Sequence, residues 1–107
     1  MPKLGTTTLT GKSGKSYAMN VYPGNMQFND FIPGVYLIAR NDGGDSNAPI
    51  YLGESDNVDI ALRKHEKQAC FEEHGYNRIA FHRNASKEVR DAVIADLLPE
   101  LKPPCND

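Results

Sequence analysis

The residues best placed to do chemistry lie in the stretch IYLGESDNVDIALRKH, residues 50–65, which begins like a β-strand and ends like a helix. Ser55, Asp56 and Asn57 are all good helix N-caps, so the helix is expected to begin there. Such a junction favours phosphate, because the amide groups at a helix N-terminus and a nearby arginine both attract an anion. The sequence therefore suggests a phosphate-handling junction, and whether it keeps the necessary charge depends on residue 61.

The motif GKSGKS at residues 11–16 suggests a second phosphate site but does not fit one. The nucleotide-binding pattern GxxxxGK followed by Ser or Thr requires a glycine at position 9, where this chain has Leu9, and a helix directly after the motif. Residues 16–22 instead alternate between polar and apolar side chains, which is typical of a strand. The motif therefore predicts the turn of a β-hairpin.

The elements that must position these motifs follow from hydrophobic patterns and turn residues. They are a hairpin with strands at 6–10 and 16–22, a turn-rich connector at 23–33, strands at 34–40, 49–53 and 78–83, a polar glycine-rich loop at 41–47, a helix at 57–71, and a last helix that begins after Asn84 or Ser86. Pro99 lies near the end of that helix, where a proline costs a hydrogen bond. A chain of 107 residues has the length of one domain. Three strands with helices packed on them predict an α+β domain.

The order of short motifs along the chain resembles the GIY-YIG nuclease superfamily. The chain has GVY at 34–36, YLG at 51–53, a helix that ends in a histidine, a third strand, and a last helix that leads into KPPCN at 102–106. The hairpin sequence TGKSGKSY and the ending PPCN are similar to a group of small bacterial GIY-YIG-like proteins. The resemblance implies one domain over the whole chain. It has a three-stranded antiparallel sheet flanked by helices in residues 34–107, preceded by an N-terminal β-hairpin and connector in residues 1–33.

The resemblance implies metal-dependent hydrolysis of phosphodiesters. In the family, the first tyrosine helps to activate the attacking water and the second lies beside the scissile phosphate. An arginine on the next helix stabilises the developing negative charge, and a glutamate on the last helix holds a divalent cation. Tyr36 and Tyr51 match the two tyrosines as catalytic residues. His65 matches a histidine that many members carry on the helix, and Asn106 matches the closing asparagine.

The two positions that handle charge do not match. Ala61 stands where the family has the arginine, and Ile94, within the apolar stripe of the last helix, stands where it has the glutamate. Arg63 is about 200° around the helix axis from residue 61 and points away from it. Asp91 lies one turn before Ile94 on roughly the same face, so only this carboxylate could reach part of the metal position. No metal ligand is therefore assigned, except Asp91 if the protein is an active enzyme.

These matches and mismatches predict a catalytically degenerate GIY-YIG nuclease-like domain, a binding module for nucleic acid or for a protein partner. Removing one charge-stabilising group from an active site typically costs ~10²–10³ in rate, and here two are replaced. Both tyrosines are then expected to be structural residues of apolar strands. Two alternatives stay open: an active Mg²⁺-dependent endonuclease with a rewired site, and an inhibitor or accessory protein derived from a mobile element. The binding module needs no cofactor, whereas the active enzyme would need Mg²⁺.

The charges along the chain are segregated, although the net charge of −2 argues against a strongly cationic nucleic-acid binder. Residues 61–90 carry seven basic and four acidic side chains, so this stretch could contact the phosphates of a nucleic acid. Its basic residues are Arg63, Lys64, Lys67, Arg78, Arg83, Lys87 and Arg90. A solvated surface of mixed sign is the competing interpretation. The acidic stretch 41–60 and the N-terminal hairpin could instead contact a protein. The residues assigned to binding are Arg63, Lys64, Lys67, Arg83 and Asn106.

The two cysteines could contribute to a metal site. Cys70 and His74 are four residues apart, on one helical face, and Cys105 and His82 could complete a zinc tetrahedron. The sequence has no CxxC pair, so two reduced, half-buried cysteines are expected instead. Two cysteines are also too few for a disulfide scaffold, which favours a reducing cytoplasm. No apolar run approaches the ~20 residues that span a membrane, and the N-terminus has no apolar segment, so a cytoplasmic protein without membrane contact is expected.

Overall fold

The computed structural model describes residues 4–24, 32–43, 48–63 and 65–106, without the side chains of residues 59, 60 and 63. The elements in chain order are β1 (Gly5–Thr10), β2 (Ser16–Pro23), β3 (Gly34–Arg40), β4 (Ala48–Ser55), α1 (Val58–Arg63), α2 (Gln68–Glu73), β5 (Arg78–Arg83), α3 (Lys87–Leu101) and a 3₁₀ turn (Pro104–Asn106). The connector expected at 23–33 and the loop expected at 41–47 lie largely outside the described residues.

The five strands form one antiparallel sheet in the order β1-β2-β5-β3-β4. The N-terminal hairpin is part of this sheet, because β2 pairs with β5 and places Asn20 opposite Phe81. The prediction of a three-stranded sheet flanked by helices and preceded by a hairpin is therefore wrong. The physical reason is that Met19 and Val21 of β2 bury their side chains in the apolar layer shared by the other strands. Pairing β2 with β5 achieves this burial and satisfies the backbone of both strands.

The sheet separates two apolar layers. Val35 and Leu37 of β3 join the layer that α3 covers, whereas Tyr36 and Ile38 join the layer that includes residues of α1, α2 and the 3₁₀ turn. This alternation follows from the two-residue period of a strand. Side chains of α3 that face the sheet and side chains around Tyr36 therefore lie on opposite sides of it.

The single helix expected at 57–71 is wrong, because the chain forms two short helices and residues 65–67, which precede the second, are not helical. Within these three residues, Nδ1 of His65 accepts a hydrogen bond from the backbone N–H of Lys67 at 3.0 Å. In a continuous helix that N–H would bond to the carbonyl group of residue 63. The side chain of His65 therefore replaces a helical hydrogen bond, and the bond fixes the orientation of its ring.

The last helix begins at one of the two expected caps. Ser86 is the N-cap, and its hydroxyl accepts a hydrogen bond from the backbone N–H of Val89 at 3.3 Å. The side chain of Asn84 accepts from the backbone N–H of Ser86 at 2.9 Å and supports the cap. Pro99 lies inside α3, which ends two residues later at Leu101. The expected helix and its late proline are thus both present.

Asp96 of α3 ties the turn of the N-terminal hairpin to the helix. Its carboxylate accepts hydrogen bonds from the backbone N–H and the hydroxyl of Ser13, at 2.8 and 2.7 Å, and from the hydroxyl of Tyr17 at 2.8 Å. These donors, the Ser13 hydroxyl first, lower the pKa of Asp96. Gly11 is needed beside it, because a Cβ atom there would collide with the carboxylate. GKSGKS is thus a hairpin turn, as predicted, and it docks on α3.

Candidate functional site

The two tyrosines and the histidine singled out from the sequence lie together. The hydroxyl oxygen of Tyr36 is 2.9 Å from Nε2 of His65. The ring centroids of Tyr51 and His65 are 4.8 Å apart in an edge-to-face arrangement, and those of Tyr36 and Tyr51 are 6.1 Å apart. Phe71 of α2 packs against the rings of His65 and Tyr51, with ring centroids 4.8 and 5.4 Å away. These four residues are called the Tyr–His cluster below.

The hydrogen bonds of His65 determine where its proton lies. Its Nδ1 accepts the N–H of Lys67 and must carry a lone pair, so the proton of the neutral ring is on Nε2. Nε2–H therefore donates to the hydroxyl oxygen of Tyr36. The hydroxyl of Tyr36 keeps its own proton, because burial raises its pKa. The N–H of Lys67, the His65 ring and the Tyr36 hydroxyl thus form a short chain of hydrogen bonds with one defined tautomer.

Burial keeps the Tyr–His cluster uncharged. It raises the pKa of Tyr36 well above the ordinary value, and Tyr51, Glu54 and Glu66 raise it further. Burial, together with the charge of Glu66, also raises the pKa of Tyr51. The pKa of His65 is lowered by burial, which Glu66 offsets only in part. At neutral pH the cluster therefore consists of two protonated phenols and a neutral imidazole.

Ala61 and Ile94 stand where the family has an arginine and a glutamate, and neither places a charge beside this cluster. Ala61 is half-buried and packs against the layer that contains the tyrosines. Ile94 is half-buried and packs against the opposite layer. Asp91, the one carboxylate considered as a substitute, is exposed and pairs with Lys87 at 3.2 Å. Ile94 and the Tyr–His cluster therefore lie on opposite sides of the sheet.

Among the described residues, Arg90 of α3 is the charged side chain that is fully buried, with 0% of its surface exposed. Its Nε donates to Glu54 Oε1 at 2.8 Å, its Nη1 donates to the carbonyl oxygen of Asn84 at 2.9 Å, and its Nη2 donates to Asp56. Lys87 Nζ lies 3.5 Å from the second oxygen of Glu54. The bond to Glu54 raises the pKa of Arg90. Glu54, Asp56, Lys87 and Arg90 are called the Arg90 cluster below.

The Arg90 cluster was not predicted from the sequence, where Arg90 was counted in a basic stretch that could contact phosphate. The structure buries the guanidinium inside the domain, so Arg90 itself is not part of such a surface. A signal was present, because residues 90, 93 and 97 share one helical face and both Val93 and Leu97 are buried. An arginine on a buried helical face needs anionic partners. The spacing does not say which carboxylates these are, since Glu54 and Asp56 are more than 30 residues away.

The structure describes the side chains of only some of the basic residues assigned to binding. The side chains of Arg63 and Lys64 lie outside the described residues. Lys67 is half-buried, and Arg83 is exposed at the end of β5. Arg78, from the same basic stretch, is half-buried and donates to the carbonyl oxygen of its neighbour at 2.9 Å. Several cations of the stretch 61–90 therefore serve contacts within the domain.

Asn106 uses its carboxamide inside the domain. Its Nδ2 donates to the carbonyl oxygen of Leu52 and its Oδ1 accepts the N–H of Leu52, both at 2.8 Å. Leu52 belongs to β4, which is an edge strand. The side chain therefore occupies the outward backbone groups of this edge, as a further strand would.

Cys70 and Cys105 form a disulfide, with an S–S distance of 2.02 Å and a Cα–Cα distance of 6.0 Å. The expectation of two reduced cysteines is therefore wrong. Packing of α2 and the 3₁₀ turn on one apolar layer brings together cysteines that are 35 positions apart in the sequence. His74 lies with them, and the possible ligand atoms of the three residues are all within 4.8 Å of one another. His82, the fourth expected ligand, is not part of this group and instead contacts the carbonyl oxygen of Ala18.

In comparisons with known proteins, no protein-family model, no curated protein and no solved structure matches the chain. Within the described part of the chain, no helix has the length and apolar character needed to cross a membrane. The Tyr–His cluster, the Arg90 cluster and the Cys70–His74–Cys105 group must therefore be interpreted from their own chemistry.

Proposed function

We propose that this domain is a GIY-YIG-like protein that binds a partner protein and does not cleave phosphodiesters. One observation carries the absence of cleavage. The hydroxyl of Tyr36, which matches the family's water-activating tyrosine, is buried, protonated and hydrogen-bonded to the neutral His65. Activation of water requires an acceptor for its proton, and a phenol whose pKa is raised is a poor one.

The charges around the Tyr–His cluster support the proposal. Ala61 supplies no cation at the position of the expected arginine, and the carboxylates of Glu54 and Glu66 both add negative potential at Tyr36. Phosphoryl chemistry needs the opposite, a cationic site that stabilises negative charge. The guanidinium of Arg90 is already paired with two carboxylates. These charges favour a protein partner over a nucleic acid.

The purified protein is expected to leave supercoiled plasmid and single-stranded DNA intact in Mg²⁺ or Mn²⁺, as followed on gels. Tyr36→Phe is the matched control, because it removes only the hydroxyl and should behave like the wild type. Cleavage that disappears in Tyr36→Phe would overturn the proposal and make Asp91 the next residue to test. Tight DNA binding in a fluorescence anisotropy titration would replace the protein partner with a nucleic acid.

The surface that best fits a protein partner is the outer edge of β1. The N–H of Gly11 donates to the carbonyl oxygen of Lys15 at 2.9 Å, which identifies the hydrogen-bonded pairs of the β1–β2 ladder. Because such pairs alternate, the backbone groups of Thr6, Thr8 and Thr10 point away from β2. Within the described residues, no strand pairs with that side of β1.

The two edges of the sheet differ in how they are protected. Strand β4 contains Pro49 and pairs with β3 through an irregular register. At its outer edge, the carboxamide of Asn106 is hydrogen-bonded to the backbone of Leu52. These features oppose the addition of a strand. The β1 strand, GTTTLT, has neither a charge nor a proline. We therefore assign the partner segment as an extended, uncharged strand rich in β-branched residues, which would pair with β1 through its backbone.

A synthetic peptide with the sequence GTTTLT, used as a mimic of such a strand, is expected to shift the amide resonances of Thr6, Thr8 and Thr10. Thr8→Pro should weaken binding by about tenfold or more, because it removes an outward N–H, yet it breaks no bond to β2. Thr8→Val keeps the N–H and should bind like the wild type. Equal binding by all three proteins would exclude the β1 edge. Sedimentation could instead reveal concentration-dependent dimers of the wild type. If Thr8→Pro abolishes those dimers, the partner is a second copy of the chain.

A further inference from the structure

The Cys70–His74–Cys105 group is a cluster of possible metal ligands that the proposed binding function does not use. Cys70 lies in α2, and His74 caps the C-terminal end of that helix. Cys105 is buried in the 3₁₀ turn, whereas Cys70 and His74 are half-buried. One sulfur is thus held in the core while the other two ligands are reachable from solvent. A metal site needs such an entry path.

We infer that reduction of the Cys70–Cys105 disulfide creates a zinc site in which both sulfurs and His74 are ligands. A dithiol or phosphine reductant supplies two electrons, the S–S bond breaks, and each sulfur takes up a proton. Zn²⁺ then replaces both thiol protons, so that two thiolates and one neutral imidazole bind the ion and two protons are released. Two cysteines, one histidine and an open fourth position form a recognised zinc ligand set.

The distances allow this conversion with small movements. With Zn–S bonds of about 2.3 Å and Zn–N bonds of about 2.0–2.1 Å, ligand atoms in a tetrahedron are about 3.6–3.8 Å apart. The ligand atoms of the three residues already lie within 4.8 Å of one another. The two sulfurs must move apart from their bonded distance, which rotation of the cysteine side chains can provide. The Cα atoms, 6.0 Å apart, can stay in place.

The surroundings of the group favour a cation. Glu72 and Glu73 are both exposed and immediately precede His74. The last turn of α2 contains no basic residue. Negative side chains beside the ligands raise the local concentration of a divalent cation and compensate its charge. The disulfide and the metal are alternatives at the same two sulfurs, so the site is available only under reducing conditions.

The test uses the whole protein, oxidised or reduced with a phosphine, and titrates it with Co²⁺ and then with Zn²⁺. The reduced protein is expected to bind one Co²⁺ with thiolate-to-metal charge-transfer absorption, and Zn²⁺ should displace it. The oxidised protein should show neither signal. His74→Ala should weaken binding on the order of 10²-fold, since one ligand of the set is lost. His82→Ala is the matched control and should bind like the wild type.

Circular dichroism of the same samples keeps the result interpretable if reduction loosens the fold. Recovery of the folded spectrum on addition of Zn²⁺ would support the site. Absence of thiolate absorption in the reduced protein would overturn it. Equal affinities of His74→Ala and the wild type would overturn the assigned ligand set, as would an unfolded reduced protein that Zn²⁺ does not restore.

Discussion

Glu54→Gln is expected to lower the free energy of unfolding by about 3 kcal/mol, because it removes the main partner of a buried guanidinium. Breaking a buried ion pair from one side typically costs about 3–5 kcal/mol, since the remaining charge stays buried without compensation. The Glu54 side chain is 21% exposed, which places the effect near the lower end. For a domain of this size the loss corresponds to a fall in Tm of about 12–24 °C. Urea denaturation followed by circular dichroism measures it.

Two exposed carboxylates of the same neighbourhood provide the controls. Asp56 also bonds to Arg90, but its side chain is 75% exposed, and Asp91 pairs with Lys87 while 56% exposed. Asp56→Asn and Asp91→Asn should each cost less than about 1 kcal/mol, because water screens exposed ion pairs. If Glu54→Gln cost no more than Asp91→Asn, Asp56 alone would be sufficient to stabilise the buried guanidinium.

The carboxylates of the Arg90 cluster also occupy the guanidinium that lies beside the strand-to-helix junction. Glu54 and Asp56 both come from the junction, and they occupy the guanidinium from within the protein. An external phosphate would have to displace two carboxylates and bury a new charge beside them. Through Arg90 the junction therefore fastens α3 to the end of β4.

The sequence predicted the strands of the sheet better than their arrangement. The strands expected at 34–40 and 78–83 have the bounds observed for β3 and β5. The partner of β2 could not be predicted, because pairing with β5 joins residues about 60 positions apart and local patterns carry no such information. The break before α2 was missed for a different reason. It depends on a side-chain bond from His65 that periodicity does not register.

Three residues of the Tyr–His cluster were named from the sequence, but neither Phe71 nor the chemistry of the cluster was predicted. Tyr36, Tyr51 and His65 were named from the sequence, and the structure brings them into contact. Their protonation depends on burial, on carboxylates from other elements and on the N–H of Lys67, none of which follows from residue type alone. Asn106 was assigned to binding, but its contact with Leu52 spans 54 positions and is visible only once the 3₁₀ turn is placed beside β4.

Gly53→Ala is expected to cost about 2 kcal/mol of stability and to break the Tyr36–His65 hydrogen bond. Tyr36 lies opposite Gly53 in the β3–β4 ladder. A Cβ atom at residue 53 would lie 2.7 Å from both Cζ and Oη of Tyr36 and 2.8 Å from Cε2 of Tyr51. Both rings would have to move, and overpacking of this kind typically costs about 1–3 kcal/mol. The glycine of the YLG motif is thus required for the contact between the two tyrosines.

Two measurements separate the packing effect from a general loss of fold. The Nε2–H resonance of His65 should exchange faster or disappear in Gly53→Ala, because its acceptor moves away, while amides of β1 keep their wild-type shifts. In a double-mutant cycle with Tyr36→Leu, which removes Cζ and Oη, Gly53→Ala should lower the free energy of unfolding by about 1 kcal/mol less than it does in the wild type. Additive costs would mean that the alanine methyl does not act through the Tyr36 ring. The clash with Tyr51 would then be the reason that residue 53 must remain a glycine.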